Sequence, residues 1–82
     1  MASDLTFAHM REWLAQADTL SQRDTFDLAQ VERLDSAGAA FLLDLTRRAA
    51  RHGHTLKLVN APSQVRGLLE SLQLDGVLKL EA

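Results

Sequence analysis

Helix-period stretches alternate with short, β-prone runs along the 82 residues of this chain. From Phe7, apolar residues recur at Met10, Trp13, Leu14, Ala17 and Leu20, while Arg11, Glu12 and Asp18 fall off that face. The spacing predicts a first amphipathic helix over Phe7 to Ser21, with Thr6 as its N-cap. Between Thr25 and Val31, aromatic and β-branched residues over too short a length for a typical helix predict a buried strand around Thr25 to Ala29. Ala39, Leu42, Leu43, Thr46, Ala49 and Ala50 then share one stripe, which predicts a second helix over Ala37 to His52 closed by Gly53. On that phase Phe41 and Leu45 project to the opposite side, in company with Arg48 and His52. Thr55 to Val59 alternates as a strand that Asn60-Ala61-Pro62 breaks, and Val65, Leu68, Leu69 and Leu72 mark a third helix opening at Ser63. Val77 to Leu80 reads as a short last strand and Ser3 to Leu5 as a strand stub in front.

Strands alternating with helices imply crossover connections, hence an α/β fold with a small, mostly parallel sheet of about four strands. Each helix has one strongly apolar face, which places the helices on one face of that sheet. Composition fits this picture: 46% hydrophobic and 24% charged residues over positions 1–82 are ordinary for a single globular domain. A chain of this size buries a limited share of its surface, so contact with a partner adds appreciably to its stability.

Several functional classes drop out. No cysteine is present, which removes a disulfide framework, a thiolate metal site and a cysteine nucleophile together. The first residues lack the pattern of a secretory signal, and no run approaches the roughly 18 apolar residues needed to cross a bilayer. The expectation is a cytoplasmic protein without direct membrane insertion. A net charge of -2 and a pI near 5.8 supply no basic field for a phosphate backbone, which argues against nucleic-acid binding. Arg47, Arg48 and Arg51 read as the solvated flank of one helix.

The remaining chemistry gathers at Asp35-Ser36-Ala37-Gly38, where a strand gives way to a helix. A hydroxyl there can cap the helix, meet a partner or accept a phosphate. A nucleophile would need a base within reach. His52 and His54 lie some 24 Å from Ser36 at about 1.5 Å per helical residue, and no Gly-flanked nucleophile elbow surrounds Ser36. His9 is not excluded by spacing alone. His52-Gly53-His54 is better explained as a helix end than as a metal pair, and Asp27 and Asp35 better as structural groups than as magnesium ligands. No metal and no cofactor are expected. Asp27, unusual in a strand, should lie near a strand end or find a donor. Small Ala37 and Gly38 permit close approach, and Phe41 and Leu45, facing outward, would extend Asp35 and Ser36 into an apolar docking surface.

The chain resembles a STAS domain, the family that includes bacterial anti-sigma factor antagonists and the small cytoplasmic subunit of the Mla-type lipid ABC transporter. The matching text runs from Phe26-Asp27-Leu28 through Val31-Glu32-Arg33-Leu34-Asp35-Ser36-Ala37-Gly38 and Leu42-Leu43, then Leu56-Lys57-Leu58-Val59-Asn60 and Val65-Arg66-Gly67-Leu68-Leu69. By this resemblance Ser36 matches the serine of the Asp-Ser-x-Gly motif, which a partner kinase phosphorylates in anti-sigma factor antagonists, with Asp27 and Asp35 as acidic neighbours. In the transporter-type members the same loop and helix look like the surface that docks on the ATPase subunit. Asp4-Leu5-Thr6-Phe7 is similar to the entry into the first helix of those members, which inclines the expected partner toward an ABC transporter ATPase, with an anti-sigma factor serine kinase as the alternative. A non-enzymatic interaction module follows. Family members usually carry a further strand before the first helix, where this chain has only Ser3 to Leu5. An uncovered sheet edge of that kind predicts pairing with a second copy.

Overall fold

Parallel pairing governs every strand in the computed structural model, which describes residues 4–81. In chain order the elements are β1 (Asp4–Leu5), a 3-10 turn (Phe7–His9), α1 (Met10–Ala15), α2 (Ala17–Ser21), β2 (Thr25–Asp27), β3 (Arg33–Leu34), α3 (Ser36–Arg51), β4 (Lys57–Val59), α4 (Ser63–Ser71) and β5 (Lys79–Leu80). β1 pairs with β3, and β2, β4 and β5 form a second ladder in that order. The α/β architecture with parallel pairing is the expected one. Its strands number five among the described residues, because Arg33–Leu34 contributes one that is too short and too polar to show alternation. The stub in front is real as Asp4–Leu5, in register with Arg33 and Leu34; Ser3 lies outside the described residues.

Register explains why one sheet face is covered. Phe26, Leu58 and Leu80 stand side by side across the three strands, the first two buried and the third half-buried. The adjacent row of Thr25, Lys57 and Lys79 is exposed. Since side chains alternate across a strand, one face meets the helices and the other meets solvent. Asp27 sits at the exposed end of β2, where its Oδ1 accepts from the Ala29 amide at 2.8 Å and from Asn60 Nδ2 at 3.3 Å. That meets the expectation of a strand-end carboxylate with donors.

The first helix departs from expectation. Phe7 to Ser21 is divided into the 3-10 turn, α1 and α2, with a break at Gln16. Six apolar positions span more than one helix face. Trp13, Ala17 and Leu20 enter the core, while Phe7 and Leu14 stay 78% and 52% exposed. Trp13 packs edge-on against Phe26 and tilted against Phe41, with ring centroids 6.0 Å apart in each pair. Its Nε1 donates to Asp4 O at 2.9 Å, which ties α1 to β1.

The phase of α3 also differs, and here the outward projection of Phe41 and Leu45 is overturned. Both are core residues, 3% and 0% exposed, together with Gly38, Ala39, Leu42 and Ala49. Ala50 is exposed, and Leu43 and Thr46 are half-buried. The buried stripe is turned by roughly a quarter of a helix turn from the one that a count of apolar positions suggests, at about 100° per residue. Area decides it. Burying Phe41 and Leu45 removes more apolar surface from water than burying Leu43, Thr46 and Ala50 in their place.

Gly38 supports the same phase. A Cβ at this position would lie 1.9 Å from Leu5 O, so only glycine lets α3 lie this close to β1. At the other end Gly53, with φ +84°, carries the chain out of α3. Its amide donates to Ala50 O at 3.0 Å and that of His54 to Ala49 O at 3.1 Å, the paired bonds of a Schellman cap.

Candidate functional site

Asp35 is the N-cap of α3, and its carboxylate serves two helical starts at once. Oδ1 accepts from the Gly38 amide at 2.9 Å. Oδ2 accepts at 3.0 Å from the Phe7 amide, the first donor of the 3-10 turn. Thr6, expected to cap that start through its hydroxyl, occupies the N-cap position without a side-chain bond. The bonds from Phe7 and then Gly38 hold the Asp35 carboxyl below its ordinary pKa, since both favour the charged form. The positive end of α3 acts in the same direction.

Ser36, the next residue, is exposed at the first position of α3. Ala37 is half-buried and Ala40 exposed on the same side of the helix. Of the residues expected to form a docking surface, the structure keeps Ser36 and Ala37 at the surface with Asp35 half-buried between elements. Gly38, Phe41 and Leu45 it assigns to the interior. Phe41 alone of these three reaches a surface groove, whose floor it helps to form.

That groove, with a volume of about 280 Å³, is lined by Met10, Leu14, Ala37, Ala40, Phe41 and Asp44. Met10 and Leu14 also line a broader concavity of about 680 Å³ with Phe7. The two hollows share their wall, so a partly exposed apolar surface runs from Phe7 across half-buried Met10 and exposed Leu14 to Ala37 and Ala40, beside Ser36. On the other side of Asp35 a cleft of about 410 Å³ opens between Thr6, Glu32, Arg33, Leu34, Gln64 and Val65.

Phe7 and Leu14, apolar members of the expected core-facing stripe, are exposed instead, while Met10 between them is half-buried against the core. Their spacing of three and four residues sets them on one side of a helix, and Trp13, Ala17 and Leu20 form a separate set roughly a quarter turn away. Two stripes on one amphipathic segment are the sequence signal of a second, outward apolar face.

The far end of the groove is held by charge. Arg48 bonds Asp44 through Nε at 2.7 Å and Asp18 through Nη1 at 2.6 Å, which joins α2 to α3. Asp44 and then Asp18 raise the Arg48 pKa above its usual value. The histidines sit elsewhere. His54 Nε2 lies 2.8 Å from Ser21 O, His9 Nδ1 lies 3.7 Å from Glu12 Oε1, and His52 forms the C-cap of α3. Among the described residues no three His, Cys, Asp or Glu side chains gather as a metal site. No helix there is long and apolar enough to cross a membrane.

The family model for the MlaB-type STAS domain matches residues 1–80. The chain belongs to that family. STAS domains are in general non-enzymatic modules that mediate protein–protein interactions in transporters or in anti-sigma antagonism. No curated protein and no solved structure matches the chain.

Proposed function

We propose that this STAS domain is a cytoplasmic auxiliary subunit that docks on the ATPase of a phospholipid-transporting, Mla-type ABC system. The observation that carries the reading is the strip formed by exposed Phe7 and Leu14 with half-buried Met10 between them, continuous with Ala37 and Ala40 beside Ser36. Exposed apolar area bordered by polar residues is the composition of a partner surface. Alanines on the α3 side let a partner helix approach closely. Ser36 and the acidic Asp35 lie on the rim, and Asp27 stays with its own donors at the end of β2.

The exposure of Ser36 favours one alternative, an anti-sigma factor antagonist whose complex with a serine kinase is broken by phosphorylation at that residue. A phosphate there would add negative charge beside Asp35 and oppose docking of an apolar or acidic face. Self-association through the free edge of β1 is a separate proposal, which light scattering at high concentration tests: a monomer refutes it.

Affinity capture with the tagged chain in its source cell separates the two partners. Recovery of an ABC ATPase, weakened by Leu14→Glu or Ala40→Glu, is the expected result. Recovery of an anti-sigma kinase in its place, or binding indifferent to both substitutions, sinks the transporter reading.

A further inference from the structure

We propose that Asp35 is a positioning residue for the docking groove, one carboxylate holding the two walls of that groove in register. This rests on the docking reading above and adds the residue that shapes the surface. One wall is the 3-10 turn and α1, which carry Met10 and Leu14, and the other is α3, which carries Ala37 and Ala40. Asp35 joins them at the near end through Phe7 N–H and Gly38 N–H. Past the far end Arg48 ties α3 to α2, the helix that follows α1, through Asp18, which is 80% exposed and open to screening by salt.

The choice of residue points the same way. Asparagine and serine cap a helix about as well as aspartate. An asparagine side chain, however, has one acceptor atom and a donor NH2, while aspartate has two acceptor oxygens. Capping α3 alone does not require a carboxylate. Serving Phe7 and Gly38 together does, because a carboxamide would turn its NH2 toward one of the two amides.

Asp35→Asn therefore separates the two duties. Amide hydrogen exchange measured by NMR should show Phe7 exchanging roughly tenfold faster while Gly38 changes by less than about threefold. Affinity for the purified ABC ATPase should fall by roughly tenfold, the size of one lost capping interaction. Gly53→Ala, which strains the opposite end of α3, is the control for general destabilisation and should leave that affinity unchanged. A second arm leaves Asp35 intact. Phe7→Pro deletes the donor at a position where proline otherwise suits a helix start, and Phe7→Ala removes the ring but keeps the donor. Binding weaker in Phe7→Pro than in Phe7→Ala supports the proposal.

Equal protection of Phe7 in Asp35→Asn and wild type overturns it. So does an affinity loss no greater than that of Gly53→Ala, or equal binding by the two Phe7 variants. If the wild-type chain does not bind the ATPase, the docking reading fails by itself, and the exchange contrast between Phe7 and Gly38 still decides whether Asp35 holds the walls together.

Discussion

The two ends of α3 satisfy the same backbone requirement by different means. Its N-terminus relies on a side chain from the preceding strand connection, Asp35, shared with a second segment 28 positions earlier. Its C-terminus relies on local backbone geometry, with Gly53 at φ +84° and the last carbonyls taken by the amides of Gly53 and His54. A local cap can be replaced or loosened with consequences confined to one turn. A shared cap passes its state to another element. The end that leaves Ser36 exposed beside an apolar groove is also the end whose geometry is tied to the rest of the fold.

Phe41→Ala gives the largest effect. It removes a side chain 3% exposed that packs against Trp13, so chemical denaturation should show a loss of about 3–5 kcal/mol. A loss below about 0.5 kcal/mol, the ordinary value for surface sites, would restore the outward-facing phase of α3. Gly38→Ala follows. Its methyl group meets the Leu5 carbonyl within a tight backbone contact, which costs about 1–3 kcal/mol or more as α3 shifts away from β1. Gly53→Ala meets no atom within 4 Å and bears only the left-handed backbone, at about 1 kcal/mol. Should the Gly53 variant prove the more costly of the two, the contrast between the ends of α3 is wrong.

Acid sensitivity gives the smallest effect. The folded-state pKa of Asp35 is lowered, first by Phe7 and then by Gly38, so its contribution is complete above the unfolded carboxylate value of about 3.9. It fades as pH falls through the lower folded value, because the unfolded chain binds the proton more readily across that window. Denaturation midpoints measured from neutral pH downward should fall less steeply in Asp35→Asn than in wild type. Parallel curves would mean that the carboxylate is not held by these amides.

Much of the fold was readable from periodicity. Val65 and Leu69 mark the buried face of α4 as expected, with Leu68 half-buried and Leu72, at the C-cap, exposed instead; Asn60-Ala61-Pro62 ends β4, and Gly53 ends α3. The Arg33–Leu34 strand left no trace, since two residues cannot display alternation and its pairing with Asp4–Leu5 is long-range. For the site, Asp35, Ser36 and Ala37 were legible from their place at a strand-to-helix junction. Phe41 and Leu45 were misplaced because a count of apolar positions weights alanine and phenylalanine equally. Phe7 and Leu14 were absorbed into a single core stripe because spacing alone does not separate two apolar sides of one segment that lie a quarter turn apart.

The amino-acid sequence by itself determined the helix–strand alternation, the parallel pairing that this implies, and the junction at Asp35-Ser36-Ala37-Gly38. These depend on neighbours within a few residues, where spacing and side-chain type act directly on backbone choice. Only the tertiary structure decided which side of α3 is buried, which apolar residues of the first helical segment remain outside, and that Asp35 caps two elements. Those outcomes depend on how much surface distant segments can bury against each other and on which free amide lies within reach of a carboxylate, and neither quantity exists until the chain has folded.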